Sequence, residues 1–402
     1  MALIVYALVP VAYMSSVPFL VGRYITPSLV ILLIWLLRVP RGVGPRQFGG
    51  MWKIISVLML AWLLYSSYSG IDSARSYAWS FVFCVLFIGV GLVASRVDTE
   101  TVKLLIRTWL WLAVGLGSLA IVEGLAGFSI FRGIYGSSGG FEDRWSVNRI
   151  TTLLGHPLMN GTFFATVGSF ALLMALRRRD RLAWAAAAFS ALAVLFSVSR
   201  SATIALIMGV AVGVLLVLFT NTRRRGVKVS AISAVVVGTV GLLSSPLLRE
   251  RSASEEGSSS AEYRADVTTI ALEISEKDGY TGSGPGTSNL RVVAEGYYLP
   301  IENSFLGLLT SLGIPGLLLV IGLLTCALLV AVRRRRFEVA AGWMAYVVAV
   351  AAWPVWENNP GSFLIGSILI ILSFAPSLAD EIISPRREAS GSSRIVDRVI
   401  RG

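Results

Sequence analysis

Residues 304–336 read SFLGLLTSLGIPGLLLVIGLLTCALLVAVRRRR, and this stretch decides the fold class of the 402-residue chain. Its first 29 positions, 304–332, carry no charged side chain, and about 20 apolar residues are enough for a helix to cross a bilayer. Four arginines follow at 333–336, and such basic runs are typical of the cytoplasmic end of a membrane span. The stretch therefore predicts a membrane-spanning helix with a cytoplasmic C-terminal end.

The whole chain has the composition of this one stretch. It is 55% apolar and 14% charged, with a mean hydropathy of +0.73, whereas soluble domains are roughly 45–50% apolar and about 25% charged. The composition excludes an ordinary soluble enzyme. The net charge of +12 lies in short clusters between apolar spans, which encodes membrane topology and does not favour binding to nucleic acid.

Working outward from 304–332, we predict an all-α polytopic membrane protein with about twelve transmembrane helices, forming a single integral membrane domain over 1–402. Basic residues collect in alternate loops, so we expect both termini in the cytoplasm. The predicted spans are 2–20, 24–37, 54–70, 77–95, 104–126, 158–176, 182–198, 201–220, 229–246, 304–332, 338–356 and 361–378.

Two outer loops and a cytoplasmic tail at 379–402 complete the predicted domain. The outer loops are 127–157 and 247–303, and the second lies between predicted helices nine and ten. Its polar, Ser-rich start at 249–260 has no apolar pattern and gives no reason to order. Helical spacing of apolar residues then predicts an amphipathic helix across 263–274. The residues of that stripe are Tyr263, Val267, Ile270, Ala271 and Ile274.

Arginines at outer span ends are the first candidate site residues. Arg200 interrupts SVSRSAT between two spans with almost no loop, where a buried charge costs a few kcal/mol unless it has a partner or reaches water. It is either a snorkelling turn residue or an anion-binding group, and arginine suits phosphate because its planar fork donates two parallel hydrogen bonds. The other outer arginines are Arg144, Arg149, Arg264 and Arg291.

Further candidates lie in the loops and at the starts of spans. The backbone at Gly284 and Gly286 forms either a plain turn or an anion-binding nest. His156 and Asn160, one helical turn apart, are either structural or site residues. With one histidine and two cysteines, Cys84 and Cys326, both inside apolar spans, the sequence predicts neither a metal site nor a disulfide framework.

Glu302 and Asn303 open the tenth span. A carboxylate there either caps the helix, since negative charge suits a helix N-terminus, or acts as a base toward an outer substrate. Glu357, in WPVWENNPG, fits a helix-end role at the membrane interface.

The order of these motifs resembles the O-antigen ligase / O-antigen polymerase superfamily of bacterial membrane glycosyltransferases, over roughly residues 140–335. No single motif is specific, but their order and their placement relative to the membrane are. The motifs are HPLMN at 156–160, SR at 199–200, YRADVTTIAL at 263–272, GSGPG at 282–286 and FLGLLTSLGIPGLLL at 305–319.

The resemblance implies an enzyme of the bacterial cell membrane that needs no metal or other cofactor. Its donor would be an oligosaccharide on polyprenyl diphosphate, and its acceptor a hydroxyl of a second glycan or of a lipid-anchored molecule. By resemblance, Arg200 and Arg264 match the family's diphosphate-binding arginines, and Arg149, Arg291, Gly284 and Gly286 are added as further contacts.

The resemblance also implies a base. Many members carry a histidine followed by asparagine at the start of the tenth span, where this chain has Glu302 and Asn303. Glu302 is therefore the predicted base, with Asn303 beside it predicted to orient the acceptor or the carboxylate by hydrogen bonding. His156 is the alternative base. A second class of function, a multi-span transporter of a small solute or glycolipid, stays open, although such proteins usually have inverted repeats and charges at the membrane midplane.

Overall fold

The fold is described from a computed structural model of the chain. The structure describes residues 26–38, 49–129, 149–219, 255–297, 300–353, 355–358 and 362–376, together with 241, 244 and 246. Every regular element in these ranges is helical, which confirms the all-α prediction. The expected span at 2–20, nearly all of the span at 229–246, most of the loop at 127–157 and the tail at 379–402 lie outside the described residues.

The described helices follow the predicted spans closely. Six are long and apolar enough to cross a membrane, and four shorter ones are also apolar. Together they cover ten of the predicted positions, because long uncharged runs bounded by polar residues leave little freedom in where a helix begins and ends. The helices are α1 Pro27–Arg38, α2 Gly49–Ser69, α3 Ser73–Arg96, α4 Thr99–Ala126, α5 Pro157–Arg178, α6 Arg181–Phe196, α7 Arg200–Phe219, α8 Glu255–Lys277, α9 Ser288–Ala294, α10 Ser304–Arg333, α11 Phe337–Ala351, α12 Val355–Asn358 and α13 Phe363–Phe374.

Helix α13 is buried along its whole length. Such burial is expected for a helix that is apolar on every side. It packs on a π-helical turn of α3 at Cys84–Gly89, where the hydroxyl of Ser367 donates to the carbonyl of Leu86 at 2.6 Å. A widened turn frees a backbone carbonyl, and the serine satisfies it where water has no access.

Helix α10 is broken in its first half, which the sequence analysis did not predict. Gly313 has non-helical dihedral angles and Pro315 follows it, so the carbonyls of the preceding turn lose their partners inside the helix. Trp62 of α2 donates its ring N–H to the carbonyl of Leu312 at 2.8 Å. Backbone N–H groups of the loop before α9 donate to the carbonyls of Thr310 and Ser311. Segments distant in sequence therefore satisfy the carbonyls that the break leaves without partners in the helix.

The arginine runs gather at one end of the bundle, named here the basic end. Arg177 and Arg178 form ion pairs with the buried Glu338. Arg334 and Arg336 donate to the last carbonyls of α13, with distances of 2.7 Å from Arg334 to both Phe374 and Ala375. Cations suit helix C-termini, so these runs hold helix ends together, as expected for topology anchors.

The amphipathic helix of the second outer loop is longer than the sequence suggested. Its apolar stripe, Val267, Ala271 and Ile274, is buried with Val292 and Ile301 in a small separate core. The helix begins at Glu255, so the expectation that residues up to 260 remain unordered is wrong for 255–260. Once the stripe anchors the helix, each added residue contributes one backbone hydrogen bond, and the helix propagates past the apolar part.

Candidate functional site

The candidate site lies at the end of the bundle opposite the basic end, named here the site end. Its centre is an ion pair between Arg264 of α8 and Glu302, with 3.2 Å between Nε and Oε2. Both side chains remain partly accessible, at 41% and 31%. Two residues proposed from sequence for opposite roles, an anion binder and a base, therefore meet in space although they lie 38 positions apart.

Helix α10 begins directly after this pair. Asn303 is its N-cap, and its side-chain oxygen accepts from the backbone N–H groups of Phe305 and Leu306 at 2.8 and 3.2 Å. Capping satisfies N–H groups that have no partner inside the helix. Asn303 therefore fixes the point at which the chain turns into α10, and with it the position of Glu302.

Tyr263 borders the pair, and the sequence analysis placed it only in the apolar stripe. Its hydroxyl donates to the carbonyl of Pro300 at 2.8 Å. Burial and the charge of Glu302 raise the pKa of Tyr263 to about 12, so its hydroxyl stays protonated at neutral pH. The raised pKa of Tyr263 depends on its proximity to Glu302 in the folded chain, so no pattern in the sequence indicates it.

The turn before α7 brings a second group of arginine residues to the site end. Helices α6 and α7 are separated only by 197–199, and Ser199 caps α7 by accepting from Ala202 N–H at 3.3 Å. Arg149, only 6% exposed, donates to the carbonyl of Ser197 at 3.2 Å. Arg149 therefore bonds the turn that directly precedes the half-buried Arg200. Arg144 lies outside the described residues.

His156 has a structural role at the start of α5. Its Nδ1 accepts from Leu158 N–H at 3.1 Å, and its ring stacks on Trp353 with 4.8 Å between centroids. Burial and the charge of Arg149 lower the pKa of His156 to about 3. A neutral ring whose Nδ1 accepts carries its proton on Nε2, so the Nδ1 lone pair is used by the helix cap in this structure.

A buried network holds the loop that carries Arg149 and His156. Asn160 bonds the carbonyls of Thr151 and His156, at 2.6 and 3.1 Å. Glu123 of α4, which is fully buried, accepts from the backbone N–H groups of Thr151 and Thr152 at 3.1 and 2.9 Å. These bonds make Asn160 a positioning residue for the loop.

The glycine-rich segment is used to close the break in α10. Ser283 and Gly284 donate their N–H groups to the carbonyls of Thr310 and Ser311 at 3.0 and 2.8 Å. Gly286 lies so close to Trp79 that a Cβ would meet the ring at 2.8 Å. Because the Gly284 N–H is bonded to α10 and Gly286 is packed on Trp79, we leave both glycines out of the proposed anion site.

Arg291 of α9 belongs to a cluster of ion pairs. It donates to Asp278 at 2.7 Å and to Glu295 at 2.6 Å, and Glu295 also pairs with Lys277 at 2.7 Å. The hydrogen bonds to Asp278 and Glu295 raise the pKa of Arg291 above its usual value. An anion would have to displace two carboxylates there, so we leave Arg291 out as well.

Glu357 is a second buried carboxylate near the site, and its bond to α9 was not anticipated from sequence. It is 2% exposed and accepts from the backbone N–H of Ser288 at 3.2 Å and from the Ser288 hydroxyl. Burial raises the pKa of Glu357. A lone glutamate near two tryptophans in sequence carries no sign that it will bond a loop helix 69 positions away.

The described residues contain no group of three or more His, Cys, Asp and Glu side chains arranged to hold a metal ion. At the site end they offer cationic guanidinium groups, the partly exposed carboxylate of Glu302 and capped helix starts. Fold and site together define a multi-pass helical membrane protein with an arginine and carboxylate site under an extramembrane helix.

Residues 185–321 match the protein family described as O-Antigen ligase. The match covers about a third of the chain and confirms the resemblance to the O-antigen ligase superfamily that the motifs indicated. The matched region contains Arg200, Arg264 and Glu302, whereas Arg149 and His156 precede it. A comparison with curated proteins finds no match.

Proposed function

We propose that this chain is a glycosyltransferase that moves a glycan from a polyprenyl-diphosphate carrier to an acceptor hydroxyl at the outer face of a bacterial cell membrane. The observation that carries the proposal is the Arg264–Glu302 pair. It supplies a cation for the leaving diphosphate and a carboxylate for the attacking hydroxyl within one contact, inside the region that matches the O-antigen ligase family.

The proposed reaction is a displacement at the anomeric carbon of the donor sugar. The acceptor oxygen forms the new bond to that carbon, and the bond from carbon to the diphosphate oxygen breaks. The diphosphate leaves on its lipid with the electron pair, and the acceptor proton passes to Glu302. Negative charge grows on the leaving group, so fixed cations lower the barrier, while a positioned base contributes about 10²–10⁴-fold.

Arginines replace a metal ion in this scheme. Arg264, Arg200 and Arg149 are the proposed diphosphate ligands, because guanidinium groups remain charged and bind phosphate oxygens with two parallel bonds. Glu302 is the proposed base, and Asn303 holds it by fixing the start of α10. His156 and Asn160 support the loop of Arg149 and take no part in proton transfer.

The proposal covers polymerase and ligase alike. Both use the same lipid-linked donor, and they differ only in whether the acceptor is a second lipid-linked glycan or a finished lipid anchor. The membrane location suits both, since the carrier lipid remains in the bilayer while its diphosphate and glycan reach the site.

Transfer by purified protein in lipid bilayers tests the proposal. A labelled glycan on polyprenyl diphosphate should be passed to the acceptor with release of the lipid diphosphate. We expect Arg200→Ala and Arg264→Ala each to lose about 100-fold or more in rate, and Arg200→Lys to lose most activity because its bidentate geometry is gone. Arg181→Ala, an exposed arginine at the start of α6 near the basic end, is the matched control. Normal turnover in both site variants at normal expression would exclude the proposed site.

A transporter remains the second candidate because α10 is broken, and discontinuous helices often form transport sites. In such sites the freed carbonyls coordinate ions. Here the carbonyls of Thr310, Ser311 and Leu312 accept from Ser283, Gly284 and Trp62, which favours the enzyme. Solute flux in proteoliposomes without glycan transfer would favour the transporter.

A further inference from the structure

Helix α9 is a seven-residue helix that bonds to three neighbouring segments. One side faces the buried Glu357, a second faces the segment that leads into Glu302, and a third faces the end of α8, which carries Arg264. These contacts connect the two halves of the proposed site.

The first side is an anchor into the membrane bundle. Glu357 of α12 accepts from both the N–H and the hydroxyl of Ser288, the first residue of α9. The carboxylate is buried beside Gly307 of α10, where a Cβ would lie 3.7 Å from its carboxyl group. The charge of the buried Arg75 also stabilises this carboxylate. Ser288 therefore has a fixed position relative to the bundle.

The second side reaches the proposed base. The side-chain oxygen of Asn289 accepts from the backbone N–H of Ile301 at 3.0 Å. Ile301 is fully buried against Val292 of the same short helix. Because Ile301 directly precedes Glu302, this hydrogen bond fixes the position of the backbone next to the proposed base.

The third side reaches the proposed diphosphate ligand. Arg291 and Glu295 form ion pairs with Asp278 and Lys277 at the C-terminal end of α8. Val292 also packs in one core with Val267 and Ile274 of α8. The orientation of α8, and with it the position of Arg264, is therefore coupled to α9.

We propose that α9 is a splint that sets the distance between Arg264 and Glu302, and that Asn289 and Ser288, held by Glu357, are positioning residues for the transfer reaction. This inference rests on the proposed function for its catalytic consequence. Its physical basis is that a misplacement of about 1 Å at a reacting group costs about 100-fold in rate, and one hydrogen bond from Asn289 holds the entry to Glu302.

Kinetic variants test the catalytic consequence. Asn289→Ala should lower kcat about tenfold or more and leave the donor KM within about twofold, because the base moves while the diphosphate ligand stays. Asn289→Asp keeps an oxygen acceptor for Ile301 and should restore most of kcat at its own pH optimum. Ser288→Ala should give a smaller loss of the same kind. Val293→Ala, an exposed position on α9, is the matched control and should behave as the unmodified protein.

Cross-linking tests the splint without using activity. In a Cys84→Ser, Cys326→Ser background, Arg264→Cys and Glu302→Cys are joined by a short bis-methanethiosulfonate in lipid bilayers. The rate of cross-linking should fall severalfold when Asn289→Ala or Ser288→Ala is added, and should be unchanged with Val293→Ala.

The two experiments separate failure of the splint from failure of the proposed function. Unchanged cross-linking in Asn289→Ala and Ser288→Ala overturns the splint, whatever the activity. An unchanged kcat in Asn289→Ala also overturns it. Slower cross-linking in the cysteine variants, combined with no glycan transfer by the protein that retains Arg264 and Glu302, would leave the splint standing and refute the proposed function.

Discussion

Two anionic groups compete for Arg264 in the proposed reaction. In the structure it pairs with Glu302, yet the proposed reaction needs the same guanidinium on the donor diphosphate. Exposed pairs of this kind are worth only about 0–1 kcal/mol, and a diphosphate carries more charge than a carboxylate. Donor binding should therefore displace Glu302 from Arg264 and release it toward the acceptor.

Glu302→Gln tests this competition. Glutamine removes both the basicity and the charge that competes for Arg264, so turnover should fall about 10²–10⁴-fold while the donor binds at least as tightly as before. Binding of a lipid diphosphate to the purified protein, measured beside turnover, checks both halves. Weaker donor binding in Glu302→Gln would contradict the competition, and full activity across pH would reduce Glu302 to a helix cap.

His156 gives a pH prediction of a different kind. Its pKa is about 3 in the fold against 6.5 when unperturbed, so the unfolded chain binds a proton that the folded chain does not. The free energy of unfolding is therefore highest above the unperturbed pKa of His156. It decreases as the pH falls from that value toward the pKa of His156 in the folded chain.

Between about pH 7 and about pH 5 we expect a loss of about 2 kcal/mol from His156 alone. His156→Asn keeps an oxygen to cap Leu158 but cannot take up the proton. Thermal unfolding in detergent should therefore depend less on pH in the variant. Equal pH dependence in the two proteins would show that His156 is already accessible and protonated normally.

Sequence reasoning reached some of these residues and missed others for a physical reason. Arg264 and Glu302 were found because each stands out locally, as an arginine on an amphipathic helix and a carboxylate at the edge of a span. Tyr263 and Glu357 owe their roles to burial beside groups 37 to 69 positions away. No local pattern encodes such neighbours.

At the scale of elements, the glycine-rich segment makes the sharpest prediction. Gly284 has a φ of +111°, and a Cβ there would lie 2.7 Å from the Ser76 hydroxyl and 2.8 Å from Gly70 Cα. Gly284→Ala adds backbone strain and a clash with another backbone segment, so it should destabilise the protein by about 3 kcal/mol or more.

Gly279→Ala is the matched control, because Gly279 also has positive φ, at +60°, but open space around it. It should cost only about 1–2 kcal/mol. Thermal unfolding of the two variants in detergent measures the difference. Equal destabilisation would mean that the glycine-rich segment does not pack at Gly284 against Gly70, which lies in the turn between α2 and α3.

The spans were predictable, whereas the break in α10 was not. Hydrophobicity along the chain is a local property, so α5 and α7 begin and end within two residues of the predicted spans. Gly313 and Pro315 were visible in the sequence, but membrane helices tolerate both when neighbouring groups satisfy the freed carbonyls. Trp62, which does so here, lies 250 positions away.

At the scale of the whole molecule, two chemically different ends face opposite directions. The basic end consists of arginine residues bonded to helix C-termini and to Glu338, and the site end consists of capped helix starts with the Arg264–Glu302 pair. The positive-inside rule predicts that the basic end lies in the cytoplasm. The proposed transfer at the outer face requires the same orientation. A reversed orientation would therefore contradict both the predicted topology and the proposed function.

Single-cysteine labelling in intact cells tests this orientation. In the Cys84→Ser, Cys326→Ser background, Tyr280→Cys lies in an exposed loop at the site end and Arg335→Cys lies exposed at the basic end. A membrane-impermeant maleimide should label position 280 in intact cells and position 335 only after permeabilisation, because about 30 Å of hydrocarbon separates the two faces. Labelling in the reverse order would place Arg264 and Glu302 on the cytoplasmic side, and the donor would then have to be used before it is flipped across the membrane.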